Sequence, residues 1–123
     1  MSDARVEMTA TYACDLCGAE AGRVELRPDE ARIAVTVTGV VGTMQVWLTP
    51  ADAPHAAALL YGTVRELYDY DDEWASFYCP QCARVYCRKH WHIEVQFDDD
   101  GLPGWYDCTY GTCPQGHRRI VDD

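Results

Sequence analysis

The sequence predicts an α+β fold: a small zinc-stabilised domain that carries an inserted β-hairpin and α-helix. Three observations lead there. Cysteines and histidines fall in four close pairs, one near the N-terminus and three in the last 45 residues. Residues 32–49 alternate with a period of two, the signature of half-buried strands. Residues 52–70 repeat apolar side chains at three- and four-residue steps, the signature of an amphipathic helix.

Length and composition fit one domain. The chain has 123 residues, 48% of them hydrophobic, enough for a core and too apolar for a disordered chain. No run of about 18 apolar residues occurs, so no membrane span is expected. Asp3, Arg5 and Glu7 make residues 1–10 unlike a secretory signal. A reducing, cytoplasmic setting follows as the expectation, where clustered cysteines bind metal rather than pair as disulfides. Twenty acidic against ten basic residues give a net charge of −10, a poor match for the phosphates of nucleic acid.

Taken in order, residues 1–11 are polar and read as a frayed end or an edge strand. Cys14-Asp15-Leu16-Cys17-Gly18 is a tight turn. Residues 23–27 form a short strand that Pro28-Asp29 ends. Along 32–39, Ile33, Val35 and Val37 share one face, and Ala34, Thr36 and Thr38 share the other. Gly39 and Gly42 bracket a turn into a second strand over 43–49, with Met44, Val46 and Leu48 on one face; together they make the hairpin. Asp52 is the expected N-cap of a helix reaching about Tyr70. Its apolar stripe is Ala56, Leu60, Val64 and Leu67. Asp69, Asp71, Asp72 and Glu73 crowd its C-terminal end, where the helix dipole disfavours negative charge and the helix should stop. That run reads as solvated surface. Asp98-Asp99-Asp100-Gly101 marks a turn between strands at 93–97 and 105–108.

The chemistry lies in the Cys and His pairs. Cys14/Cys17 and Cys79/Cys82 are C-x2-C, Cys87/His90 is C-x2-H, and Cys113/His117 is C-x3-H. Zinc takes four N or S ligands at about 2.0–2.3 Å, and a two- or three-residue loop lets two side chains converge on one ion. Eight ligands make two Cys3His sites. A redox dithiol at Cys79-Pro80-Gln81-Cys82 is the competing reading, but further Cys and His follow it at ligand spacing. His55 and His92 have no such neighbours and read as ordinary surface or core histidines. Two pairings stay open from spacing alone. The four residues Cys79, Cys82, Cys87 and His90 hold one ion as a local knot, or the first pair joins the third and the second joins the fourth. Cys108 is left over, as a buried thiol or as an alternative ligand in place of Cys113.

The order of these motifs resembles the RING finger, a family of two-zinc, treble-clef-type domains found in ubiquitin ligases. The resembling residues are Cys14-Asp15-Leu16-Cys17, then Tyr86-Cys87-Arg88-Lys89-His90, then Cys113-Pro114-Gln115-Gly116-His117-Arg118. The 61 residues between Cys17 and Cys79, residues 18–78, would be the inserted hairpin and helix, with zinc-binding parts at 14–17 and 79–117 of a single 1–123 domain. The resemblance implies alternate pairing: Cys14, Cys17, Cys87 and His90 on a first zinc, Cys79, Cys82, Cys113 and His117 on a second. It further implies a surface of Leu16, Trp91, Trp105 and Pro114 for a ubiquitin-conjugating-type enzyme. Arg118 would be a linking cation that restrains the loaded ubiquitin-like protein for attack. The function so implied is a RING-like ligase or adaptor. The alternative from the residues themselves is a non-enzymatic zinc module that binds another protein. A nucleic-acid role rests only on Arg84, Arg88, Lys89, Arg118 and Arg119, against the overall charge.

Overall fold

The computed structural model describes residues 8–97 and 106–123. It is a small, sheet-rich domain with few helices. Four strands come first: β1 (Met8–Ala13), β2 (Glu20–Asp29), β3 (Arg32–Gly39) and β4 (Gly42–Leu48). They pair antiparallel in the order β1-β2-β3-β4. The two-residue period of the sequence becomes a buried face of Val24, Leu26, Val35 and Val37. The β2–β3 turn places Glu30 at φ 54°, and the β3–β4 turn is closed by the Gly39–Gly42 pair, with Gly42 at φ 122°. Strand β2 runs through Pro28, which stands opposite Ile33; its nitrogen does not face β3, so the ladder loses nothing there.

The expected single hairpin is therefore only the second half of a four-stranded sheet. Its first strand precedes Cys14, so the sheet wraps around the first Cys pair rather than being inserted after it. For β1 the sequence left a frayed end and an edge strand both open, and the length of β2 was not legible, because Pro28-Asp29 reads as a terminator when the register is unknown.

The expected helix is two helices, α1 (Ala53–Tyr61) and α2 (Val64–Tyr70). The break lies at Gly62-Thr63. Thr63 Oγ1 accepts from the Glu66 N–H at 3.2 Å, and Glu66 Oε1 accepts from the Thr63 N–H at 2.7 Å. This capping box starts a new helix where an apolar stripe alone would continue the old one. Asp52 does sit at the N-cap of α1, but its carboxylate accepts from the Thr49 hydroxyl at 3.0 Å instead of a helix N–H. α2 stops at Asp71, and a 3-10 turn over Asp72–Ala75 follows.

That turn anchors the core. Trp74, Ala75, Ser76 and Phe77 are all buried. Phe77 packs its ring against Gly22 and stacks on Tyr12 with ring centres 5.1 Å apart. Ser76 Oγ accepts from the Val40 N–H at 3.2 Å and sits on Gly39. Any Cβ at Gly22 would occupy the space of the Phe77 ring. Next come a two-residue hairpin, β5 (Tyr78–Cys79) with β6 (Arg84–Val85), and a three-stranded antiparallel sheet ordered β7 (His92–Phe97), β8 (Tyr106–Thr112), β9 (Arg118–Asp122). The expected acidic turn at 98–101 lies outside the described residues. One continuous hydrophobic cluster joins Val24 and Val35 to Val85, Trp91 and Val121, and it takes in Cys14, Cys79, Cys87 and Cys113. Among the described residues, no helix is long and apolar enough to cross a membrane.

Candidate metal centres

Each pair sits on a backbone turn that aims its two ligand atoms at one point. In the first, Gly18 N–H donates to Cys14 O at 2.9 Å and Leu16 N–H to Cys14 Sγ at 3.4 Å. Gly18 follows at φ 77°, a conformation that favours glycine. The second repeats the plan: Ala83 N–H to Cys79 O at 2.8 Å, Cys82 N–H to Cys79 Sγ at 3.4 Å, and Ala83 at φ 56°. The fourth closes through Gly116 N–H to Cys113 O at 2.9 Å and His117 N–H to Cys113 Sγ at 3.4 Å, with Gly116 at φ 90°. In the third, a 3-10 turn over Arg88–His90 brings His90 back to Cys87.

The structure gathers these pairs into two groups, Cys14, Cys17, Cys87 and His90, and Cys79, Cys82, Cys113 and His117. The first pair meets the third and the second meets the fourth. A local knot of Cys79, Cys82, Cys87 and His90 does not form. The reason is visible in Asp15. Its N–H donates to Val85 O at 2.8 Å and its carboxylate accepts from the Val85 N–H at 2.7 Å. This two-point clamp fastens the first turn to the strand that leads into Cys87. Nothing in the motif spacing announces the clamp, although an Asp inside a C-x2-C turn is a residue able to make it.

The donor distances test the fit to zinc. With Zn–S near 2.3 Å and Zn–N near 2.05 Å, a tetrahedron has S···S edges of about 3.75 Å and S···N edges of about 3.55 Å. In the first group, Cys17 Sγ to Cys87 Sγ is 3.7 Å, and His90 Nδ1 lies 3.5 Å from Cys14 Sγ and 3.3 Å from Cys87 Sγ. In the second, Cys82 Sγ to Cys113 Sγ is 3.7 Å, and His117 Nδ1 lies 3.6, 3.2 and 3.5 Å from the sulfurs of Cys79, Cys82 and Cys113. These edges match one small tetrahedral ion in each group, and three thiolates with one imidazole is a zinc donor set. Both histidines present Nδ1, which the sequence did not specify.

The surroundings differ between the groups. Burial pushes the Cys14 thiol up, but N–H groups of Cys87, Cys17 and Leu16 and the His90 ring outweigh it and bring the thiol down to about 6. Burial pushes Cys79 up to about 11. The buried Tyr86 hydroxyl bonds the Cys82 sulfur and is pushed well above its ordinary value, first by that bond and then by burial. Cys17 is the exposed sulfur of the set.

The other predicted site residues separate cleanly. Leu16 is 50% exposed at the tip of the first turn, and Pro114 is exposed on the fourth. Trp91 is a correction. It is 5% exposed, it packs against Tyr86 and Gly111, and its indole N–H donates to Tyr86 O at 2.9 Å. An aromatic with its one donor satisfied inside the core is not available to a partner. Trp105 lies outside the described residues. Arg118 is exposed with its guanidinium 3.6 Å from the Tyr110 ring centre. Cys108 is buried on β8 and belongs to neither group, so it is not an alternative ligand.

Arg119 takes a structural role that no motif in the sequence announces. Its Nη1 donates to Ala75 O at 2.9 Å and Tyr78 O at 2.7 Å, and its Nη2 to Asp72 O at 2.9 Å. It ties β9 to the 3-10 turn and to the start of β5. The basic set of Arg84, Arg88, Lys89, Arg118 and Arg119 thus loses one member to an internal structural task.

Comparison with known proteins gives a family and no activity. The family model for a domain of unknown function, DUF8328, matches residues 4–123, and the chain belongs to that family. No curated protein and no solved structure matches it.

Proposed function

We propose that this DUF8328 chain is a two-zinc scaffold whose work is to bind another protein, without transfer chemistry of its own. The observation that carries the reading is the closure of both groups. Each brings four protein donor atoms within 4.8 Å of one another, enough to fill a tetrahedral ion, and a catalytic zinc instead keeps a position for water or substrate. The ions would hold the turns in place and release of either would loosen a core that includes their ligands. The residues the sites leave on the outside are the binding candidates, with Leu16 projecting from the first turn.

A RING-like ligase or adaptor is the second reading. The alternate pairing of the ligand pairs favours it, with Leu16 and Arg118 both exposed. Arg118 would then leave its place over Tyr110 to bridge the conjugating enzyme and the ubiquitin-like protein.

One experiment tests both. The zinc-loaded chain is added to conjugating-type enzymes carrying a thioester-linked ubiquitin-like protein, and discharge is followed. No acceleration, together with a partner retained by wild type and lost from Leu16→Asp, supports the scaffold. Acceleration that Arg118→Ala abolishes replaces it with the ligase. Turnover of an ester, peptide or phosphate substrate by the metal-loaded chain would sink both.

A further inference from the structure

The four-stranded sheet has two edges, treated differently. β1 is packed by α1. β4 is the other edge, and among the described residues no strand pairs with its outer side. The Gly39–Gly42 pair closes a two-residue turn, and the register then alternates. Gly42, Met44, Val46 and Leu48 therefore exchange hydrogen bonds with β3, and the backbone N–H and C=O of Thr43, Gln45 and Trp47 point away from it.

Sheet edges are commonly blunted by lysine, proline or a bulge. β4 has none of these: Gly42-Thr43-Met44-Gln45-Val46-Trp47-Leu48 carries no charge and no proline, and its register with β3 is unbroken. Such an edge is a template for one more strand.

A cleft of about 190 Å³ opens at the Gly42 end of this edge. Val37, Val41, Met44 and Val121 give it apolar lining, and Thr43, Ser76, Glu73 and Asp122 give it polar lining. Among the described residues, no Lys, Arg or His lines it. Both carboxylates have neutral partners: the Asp122 carboxylate accepts from the Tyr106 hydroxyl, and Glu73 from the backbone of Asp123. Burial and then the neighbouring charges of Asp122, Asp71 and Asp72 push the Glu73 carboxyl up. A cation would relieve what the described residues leave uncompensated.

We infer that β4 accepts an extended segment of a basic partner protein as a fifth strand, and that one Lys or Arg of that segment fills the cleft between Glu73 and Asp122. This rests on the protein-binding reading above and adds the surface and the chemistry of the partner. Main-chain bonds along Thr43, Gln45 and Trp47 supply sequence-independent affinity, and the cleft supplies selection for one basic side chain flanked by apolar ones. A long aliphatic stem with a charged head suits a cleft lined by both apolar and acidic side chains. A second copy of this chain is the weaker occupant. Its β4 brings no cation to the cleft, and each copy carries a net −10.

The test uses the zinc-loaded full chain and a displayed library of random nine-residue peptides. The expected consensus alternates apolar and polar positions around a single Lys or Arg. A synthetic peptide of that consensus should lose at least about tenfold in affinity when its basic residue becomes Thr, a loss on the scale of one charge-assisted contact. Glu73→Gln with Asp122→Asn should erase that discrimination while leaving the Thr peptide unchanged. Gln45→Pro should abolish binding of both peptides, since it removes an outward N–H to which no described strand pairs. Gln45→Lys, a surface change that preserves the backbone, should do the same to the basic peptide. A consensus without a basic residue, binding that survives both Gln45 variants, or a wild-type dimer that Gln45→Pro dissolves would each overturn the inference. A partner lost from Leu16→Asp but retained by Gln45→Pro would overturn it and leave the scaffold reading standing.

Discussion

Arg119→Met is the change that best separates this structure from a looser arrangement of the same elements. The Met side chain keeps most of the packed stem and removes every donor. The carbonyls of Ala75 and Tyr78 belong to residues 0% and 2% exposed, so water is poorly placed to replace the guanidinium. A buried carbonyl left without a partner costs about 1–3 kcal/mol. The third carbonyl, of Asp72, belongs to an exposed residue and contributes little. The Tyr68 ring, 5.1 Å from the guanidinium carbon, adds about 0.5–1 kcal/mol. Against this, burial lowers the Arg119 pKa, and removing the charge returns that penalty. The net expectation is about 3 kcal/mol of lost stability. Unfolding entropy near 2.1 cal/mol/K per residue converts this, for 123 residues, into a fall in Tm of about 10–12 °C. The assay is thermal unfolding followed by circular dichroism and by Trp fluorescence at fixed free zinc, because metal binding itself raises Tm. Arg119→Lys should recover less than half, since one ammonium cannot reproduce the planar fork that reaches three carbonyls. A fall below about 3 °C for Arg119→Met, or full recovery by Lys, would refute the reasoning.

Metal content should be two zinc ions per chain by mass spectrometry under native conditions. Cys87→Ser and Cys113→Ser should each retain one, and loss of both ions from either variant would show that the groups are not independent. Gly22→Ala should destabilise by about 1–3 kcal/mol through collision with the Phe77 ring, and Phe77→Leu in the same chain should return part of it; denaturant midpoints decide, and an unchanged midpoint for Gly22→Ala rejects the packing. Glu73→Gln should raise Tm at pH 7. The fold lifts the Glu73 carboxyl above its unfolded value, so its favourable contribution is full below the unfolded pKa and is lost as pH rises through the folded one. The advantage of the Gln variant should therefore shrink as pH falls from 7 toward the ordinary carboxylate pKa, and a gain that grows on acidification would reverse the sign.

Much of the local structure was legible because short-range physics sets it. β-Branched alternation at 32–39 gave β3 with its bounds, and Gly39 and Gly42 gave its turn. The break between α1 and α2 was written as Thr63-x-x-Glu66 and was obscured by an apolar stripe that happens to continue across it. Trp91 and Arg119 could not be read at all. Both side chains are amphipathic, and only the elements packed against them decide whether such a residue serves the core or the surface.

The eight donors show the division most clearly. The sequence by itself determined that they come in pairs, because a loop of two or three residues forces two side chains toward one point whatever surrounds it. It also determined the acidic charge that argues against nucleic acid. The pairing of the pairs belongs to the tertiary structure, since it depends on residues far apart in the chain. Asp15 clamps the first turn to Val85, and β9 carries its end of the chain back to the 3-10 turn through Arg119. With those contacts made, Cys17 reaches Cys87 and Cys82 reaches Cys113. The open edge of β4 is decided at the same level, because a strand becomes an edge only through where its neighbours stop.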